Sequence, residues 1–161
     1  MTAQNTPAAF KAQPAPQDAV TLLKADHDLM NQLFAEYETA SSVANKQTLV
    51  AEICIALSVH TQIEEEIFYP AVQSVLINPQ LVSQAYVELA DVKNLVAELE
   101  STEPDAEAYD IKVRVLSEHV RHHVHVEQNQ MFPRAKASSL DMVALGMQMD
   151  ARMQTLMSLA A

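Results

Sequence analysis

Hydrophobic residues recur along this chain at spacings of three and four, the period of an amphipathic helix. The first such segment runs from Asp18 to Ala40, the second from Val43 to Leu76 and the third from Pro79 to Glu100. The fourth runs from Ala106 to Lys136, and a fifth from Leu140 to Leu159 follows a Ser-Ser pair that offers a serine as N-cap. Because the connections are short, neighbouring helices are expected to be antiparallel. The pattern predicts an all-α protein, an antiparallel up-down-up-down four-helix bundle with an additional C-terminal helix.

The composition also favours an all-α fold, and its change along the chain predicts where the domain begins. Only one glycine occurs among the 161 residues, so the chain has few positions suited to the positive φ angles of hairpin turns. The N-terminal residues are rich in Ala, Pro and Gln and lack the charged-then-apolar order of a signal peptide. We therefore expect residues 1–17 to form a flexible lead-in and residues 18–161 to form one domain.

The charge and the single cysteine limit the partners and the compartment. The formal net charge is −11 at pH 7, and the Lys and Arg residues are scattered, which disfavours nucleic acid and anionic membranes as partners. No apolar run approaches the roughly 18 residues of a transmembrane helix. Cys54 has no second cysteine with which to form an intrachain disulfide. A reducing compartment is consistent with this, and we expect a cytoplasmic protein.

Two segments share a motif of metal-binding residue types. His60-Thr-Gln-Ile-Glu64 and His123-Val-His-Val-Glu127 are each followed, six residues after the glutamate, by a proline that is expected to kink or end the helix. Residues four apart lie on one face of a helix, so each segment presents an imidazole and a carboxylate together. Two such helices facing each other would form a nitrogen-and-oxygen site that suits iron, manganese or zinc rather than copper(I).

A third histidine strengthens the prediction of a metal site. His27, His60 and His123 each occupy an inward position of a different predicted helix. A single histidine on an apolar face is usually a hydrogen-bonded core residue, but unpaired carboxylates beside it in the core would cost several kcal/mol. A bound cation offsets that cost directly. Asp26 and Glu66 are expected on solvated faces, with the orientation of a ligating imidazole as an alternative role.

These segments resemble a known family. Leu22–His27, His60–Pro70 and His122–Pro133 are similar to the hemerythrin family, specifically the bacterial HHE cation-binding domains, and the resemblance extends from about Gln17 to Leu159. It implies a four-helix bundle that holds a non-haem di-iron centre with bridging carboxylates and histidine ligands. It also implies that open coordination positions bind dioxygen or another small ligand.

The resemblance assigns the ligands residue by residue. It implies that His27, His60, Glu64, His123 and Glu127 bind the metal, with the two glutamates as the bridging pair.

One expected ligand is absent, because Leu89 stands where the third helix of this family usually carries a histidine. His119 is one replacement, since it forms a column with His123 and Glu127 on the fourth helix. One helical turn is about 5.4 Å, however, so His119 is alternatively a polar group outside the ligand shell. Glu88, beside Leu89, is the second replacement. Without either, one metal is weakly bound or missing, and the centre becomes a remodelled single-metal site.

The leading interpretation is a non-enzymatic iron protein that senses or carries dioxygen or nitric oxide. Turnover of peroxide or nitric oxide at the same centre is the enzymatic alternative. A ferritin-like oxidase is disfavoured because the sequence contains no Glu-x-x-His pair. A histidine phosphotransfer domain gives no role to the buried His-x3-Glu pairs, and a structural zinc site would favour a closed set of cysteines and histidines. No protein partner is indicated by the sequence.

Overall fold

The computed structural model describes residues 15–161, and these form helices joined by short turns. The α-helices are α1 (Ala19–Thr39), α2 (Val43–Ile63), α3 (Tyr69–Gln73), α4 (Pro79–Glu100), α5 (Glu107–Val126), α6 (Phe132–Lys136) and α7 (Met142–Ala160). A first π-helical turn, Glu64–Phe68, joins α2 to α3, and a second, Glu127–Met131, joins α5 to α6. No β-strand occurs between residues 15 and 161. The all-α prediction is confirmed.

The helices pack as the predicted bundle with an additional helix. α1 packs against α2, and α4 packs against α5. The two pairs meet through contacts of α1 with α5 and of α2 with α4. The C-terminal helix α7 lies against α1, α2 and the first π-helical turn. The four-helix bundle with a C-terminal addition is therefore confirmed, and α7 covers one of its faces.

Side-chain caps set where most of the long helices begin. Asp18 accepts a hydrogen bond from the Thr21 N–H at 2.8 Å at the start of α1. Asp141 accepts one from the Ala144 N–H at 3.0 Å at the start of α7. The expectation that a serine caps this last helix was therefore wrong, because the carboxylate of Asp141 lies three residues before an unpaired N–H of the first turn.

The two late prolines do not end the helical path. The Tyr69 N–H bonds to the Glu64 carbonyl, five residues back, and the same bond occurs between Phe132 and Glu127. This wider turn makes Pro70 the second residue of a new α-helical segment, and Pro133 takes the same place in α6. A proline is tolerated there because the first N–H groups of a helix have no partner within it.

A polar layer separates two apolar clusters inside the bundle. The first cluster contains Leu23, Ile63, Leu89 and Val126, and the second contains Met30, Leu57, Val92 and Val120, among others. On α1, α2 and α5 a buried histidine lies close to the boundary between the two clusters, at His27, His60 and His123. On α4 the corresponding interval, Leu89 to Val92, contains no buried polar residue. The bundle thus places three histidines at one level.

Gly146 lets α7 lie directly on the start of α1. A Cβ atom at this position would lie 2.2 Å from the Gln17 carbonyl oxygen and 2.8 Å from the Ala19 nitrogen. Because these are backbone atoms, one of the two segments would have to move. We expect Gly146→Ala to lower the free energy of unfolding by about 1–3 kcal/mol, although alanine is the better helix former by about 1 kcal/mol.

Urea denaturation measures this effect. Met147→Ala alters the neighbouring, exposed side chain and is the matched control, expected within about 0.5 kcal/mol of the unmodified protein. An unchanged midpoint in Gly146→Ala would show that α7 does not pack this closely.

Most of the predicted lead-in lies outside the described residues, and residues 15–17 lie beside Gly146 and Met147. Within residues 15–161, none of the helices combines the length and the apolar character needed to cross a membrane.

Candidate metal centre

The structure brings together the four residues of the repeated motif and His27. His27 lies on α1, His60 on α2, His123 on α5, and Glu64 and Glu127 begin the two π-helical turns. Their exposed fractions range from 0 to 3%. Two carboxylates and three imidazoles are therefore buried together in the polar layer, where an unpaired charge would be costly.

Four of these residues direct one atom each at a common point. His27 Nε2, His60 Nε2, Glu64 Oε1 and Glu127 Oε2 lie within 4.8 Å of one another, and we call them the first donor set. His27 Nε2 is 3.1 Å from Glu127 Oε2, and His60 Nε2 is 3.0 Å from Glu64 Oε1. All four atoms are buried and lack a hydrogen-bond partner. Buried polar atoms without partners are rare, so a shared cation is the direct explanation of four in one place.

The remaining oxygens of both glutamates face a second group of donors. Tyr69 Oη donates a hydrogen bond to Glu127 Oε1 at 2.8 Å and lies 3.2 Å from Glu64 Oε2. His123 Nε2 is 3.4 Å from both Tyr69 Oη and Glu64 Oε2, and 3.5 Å from Glu127 Oε1. We call these four atoms the second donor set. Each glutamate contributes one oxygen to each set.

The hydrogen bonds of Tyr69 to both glutamates were not predicted from the sequence, which indicated this residue only as an aromatic that keeps water from the centre. On a regular helix, five residues advance about 500°, which would leave Tyr69 about 140° away from Glu64. The π-helical turn bonds Tyr69 directly to Glu64 and so brings the two side chains to one face. The signal available in the sequence was Pro70, which has no N–H with which to continue a regular helix and which recurs in the second motif as Pro133.

The buried charges shift one another's protonation. Burial lowers the pKa of His60, but the Glu64 carboxylate and a hydrogen bond to Asp26 outweigh it and raise that pKa to about 10. Burial likewise opposes the charge of Glu64, yet His60 and His123 hold its pKa well below the usual value. Burial and the nearby Glu64 raise the pKa of Glu127. Without a cation, the two glutamates are therefore electrostatically unequal.

The phenol of Tyr69 is held neutral by the same field. Burial and the negative charges of Glu64 and Glu127 raise its pKa well above the usual value. A cation in the second donor set would act in the opposite direction, because a bound metal ion is the largest local charge and favours the deprotonated form of its ligands.

The outer nitrogens of the three histidines also have partners. His60 Nδ1 lies 3.1 Å from Asp26 Oδ2, and His123 Nδ1 lies 3.1 Å from Glu88 Oε2. The His27 Nδ1 atom lies 3.0 Å from the side-chain amide of Gln128, which the sequence did not single out. Each imidazole therefore points Nε2 into the centre and Nδ1 toward a polar side chain outside it.

The structure does not place His119 in either donor set. His119 is exposed on the solvent side of α5, one helical turn before the buried His123. Glu88 reaches the outer nitrogen of His123 rather than the centre itself. Leu89 is 1% exposed and packs in the first apolar cluster. The prediction that His119 replaces the missing ligand is therefore wrong, and His119 lies outside the ligand shell. Near His123, the structure places the hydroxyl of Tyr69 instead.

These features define a class: a helical bundle with a buried carboxylate and histidine centre suited to a metal cation. Residues 18–135 match the model of the hemerythrin HHE cation binding domain. The chain therefore belongs to the hemerythrin HHE cation-binding family, and the resemblance inferred from the sequence is confirmed. Helix α7 lies beyond the matched region.

Two known proteins illustrate the relationship. A hemerythrin HHE cation binding domain-containing protein of Mycobacterium kansasii shares the fold, with a TM-score of 0.75 and 24% identity over 87% of each chain. A protein named DNA nickase from Nostoc sp. (strain PCC 7120 / SAG 25.82 / UTEX 2576) is 28% identical over 111 residues. That alignment covers 69% of this chain but 31% of the Nostoc protein, so this chain spans less than a third of its relative.

Proposed function

We propose that this protein binds non-haem iron at a carboxylate-bridged di-iron centre. The observation that carries the proposal is the first donor set, whose four buried atoms converge without hydrogen-bond partners. Imidazole nitrogens and carboxylate oxygens are ligands that suit iron, whereas soft metals such as copper(I) prefer thiolate ligands. The proposed ligands of the first metal are His27, His60, Glu64 and Glu127. The proposed ligands of the second are His123, Tyr69 and the same two glutamates.

We further propose that the centre binds a small ligand such as dioxygen, nitric oxide or peroxide. Bound iron would supply a redox-active metal with coordination positions left open by the few protein donors. The surrounding residues keep water away: Phe132 stacks on the His27 ring with centroids 5.7 Å apart, and Phe68 meets Phe132 edge to face at 5.7 Å. Both phenylalanines are 0–1% exposed.

Two alternatives rest on the same atoms. The second donor set has one imidazole where the first has two, and its Tyr69 hydroxyl already bonds to Glu127, which favours a remodelled single-metal site. Turnover of peroxide or nitric oxide, rather than carriage or sensing, is the enzymatic alternative.

We retain the expectation of no nucleic-acid partner, because the net charge is −11, although one relative is named a DNA nickase. That the protein is cytoplasmic also remains a prediction from the sequence.

Elemental analysis of protein purified after iron-replete growth tests the metal proposal. Close to two irons per chain supports both donor sets, whereas close to one iron supports the single-metal alternative. Protein that holds no iron and takes up none when Fe(II) is added anaerobically would contradict the proposal. Optical spectra recorded while dioxygen, nitric oxide or peroxide is added to the Fe(II) protein then distinguish reversible binding from turnover.

Metal binding is expected to release protons and to become tighter as the pH rises. In the metal-free protein the pKa of His60 is about 10, so the ring is protonated at neutral pH. A ligating imidazole must be neutral, and its proton therefore leaves when the metal binds. We expect the apparent affinity for Fe(II) or Co(II) to rise about tenfold per pH unit for each proton released, between about pH 6 and about pH 8.

Calorimetry in buffers of different ionisation enthalpy counts the released protons directly. An affinity that does not change over this pH range would contradict the release of a proton from His60 on metal binding.

A further inference from the structure

We propose that Asp26 and Glu88 are positioning residues, each for one of the two donor sets. Asp26 holds His60 toward the first set, and Glu88 holds His123 toward the second. This inference rests on the proposed metal-binding function and extends it to two residues that touch no metal.

Asp26 connects two helices of the centre. It precedes His27 on α1, so α1 provides a ligand of its own and the partner of a ligand on α2. Its Oδ2 atom lies 3.1 Å from His60 Nδ1, and its side chain is 21% exposed. This fixes the orientation of the His60 ring, whose Nε2 lies 3.0 Å from Glu64 Oε1.

Glu88 gives α4 a role in the centre that Leu89 cannot have. Its Oε2 atom lies 3.1 Å from His123 Nδ1, and its side chain is 15% exposed. The other oxygen, Oε1, accepts a hydrogen bond from Gln84 Nε2 at 2.9 Å and lies 3.5 Å from Nε2 of the exposed His122. These contacts hold the carboxylate in place, so α4 acts on the centre through the outer side of the His123 ring.

A carboxylate behind a ligating imidazole has two effects. It fixes the ring so that Nε2 faces the metal, and it increases the basicity of that nitrogen. His27 differs from the other two, because its Nδ1 atom meets the neutral amide of Gln128. The three imidazoles therefore have unequal outer partners, but each donor set contains one imidazole that is supported by a negative charge.

The charges also balance. Asp26, Glu64, Glu88 and Glu127 together carry a formal charge of −4, which equals the charge of two divalent cations with opposite sign. If Tyr69 remains a neutral phenol, the centre with two divalent metals is electrically neutral. Removing either outer carboxylate would leave one positive charge uncompensated near the donor set that it backs.

Stepwise titration of metal-free protein with Co(II), followed by visible absorption and calorimetry, tests the inference. We expect Asp26→Asn to weaken binding of the first equivalent by about 10- to 100-fold, and Glu88→Gln to weaken the second by a similar factor. Asp28→Asn and Asp91→Asn are the matched controls, because both side chains are exposed on the same helices. The controls are expected to bind both equivalents within about twofold of the unmodified protein.

A second measurement separates positioning from a general effect on the fold. In the paramagnetic proton spectrum of the Co(II) protein, the Nδ1–H signals of His60 and His123 should exchange slowly with solvent. Asp26→Ala should speed exchange at His60 alone, and Glu88→Ala at His123 alone. Urea denaturation of each metal-free variant checks that the fold is retained.

The outcomes are distinguishable. If the unmodified protein binds no Co(II), the proposed function itself fails. If it binds Co(II) and the Asp26 and Glu88 variants match their controls, the positioning inference is overturned. Equal losses in the controls, or equal losses of both equivalents in each variant, would also overturn it, since they would reflect net charge or a loosened fold.

Discussion

Replacing Glu64 is expected to remove both metals, because its two oxygens face the two donor sets separately. Oε1 lies 3.0 Å from His60 Nε2, and Oε2 lies 3.4 Å from His123 Nε2. We expect Glu64→Ala to weaken metal binding by more than the roughly 10- to 100-fold typical of an outer-shell partner. Glu127→Ala should behave in the same way, because Glu127 is also shared. Elemental analysis after iron-replete growth measures the loss.

Glu65→Gln is the control for this experiment. Glu65 is in the same π-helical turn, but it points outward and pairs with Lys93 at 2.6 Å. This variant should retain its metal. Full metal retention in both Glu64→Ala and Glu127→Ala would exclude the two glutamates as bridging ligands.

Tyr69→Phe is expected to reduce the metal content from about two ions per chain to about one. Only the hydroxyl is lost, so the ring keeps its edge-to-face contact with Tyr86, at a centroid distance of 5.1 Å. The second donor set would then offer one imidazole and two shared carboxylate oxygens, which is a weak site. In the metal-free protein, the variant also leaves Glu127 Oε1 without its donor, at a cost of about 1–3 kcal/mol.

Metal analysis and the visible spectrum of the Fe(III) protein measure this effect together. A phenolate-to-iron charge-transfer band should be present in the unmodified protein and absent in Tyr69→Phe. Tyr86→Phe is the control. Among residues 15–161, the tyrosine hydroxyl that hydrogen-bonds to Glu64 and Glu127 is that of Tyr69, not that of Tyr86. Two irons per chain and an unchanged spectrum in Tyr69→Phe would show that this tyrosine is not a ligand.

The sequence predicted the fold closely because its helices carry clear boundary signals. The third segment was predicted from Pro79 to Glu100, and α4 has these bounds, with Asn78 as its N-cap. The His-x3-Glu spacing could be placed on one helical face because residues four apart lie one turn apart. Both predictions depend only on local periodicity, which a single sequence contains.

What the sequence did not predict depends on backbone geometry and on contacts between helices. Tyr69 enters the centre only because one turn of the helix is π-helical, and regular periodicity excludes that position. His119 shares a helical face with His123 in the sequence, yet the packing of α5 leaves it in solvent. For Asp26 the sequence offered the orientation of an imidazole as an alternative role but not its partner. That partner, His60, and the contact of Glu88 with His123 depend on residues 34 and 35 positions apart, respectively, that meet across the bundle.

The position of α7 has a kinetic consequence for the centre. Arg152 on α7 binds Glu66 of the first π-helical turn through Nε at 2.7 Å and Nη2 at 3.1 Å. The helix contacts that turn more extensively than it contacts the second, Glu127–Met131. We expect backbone amides of the second turn to exchange with deuterium faster than those of the first, as measured by mass spectrometry on the metal-free protein. Metal exchange would then begin on the Glu127 side, while the Glu64 side retains its ligands for longer.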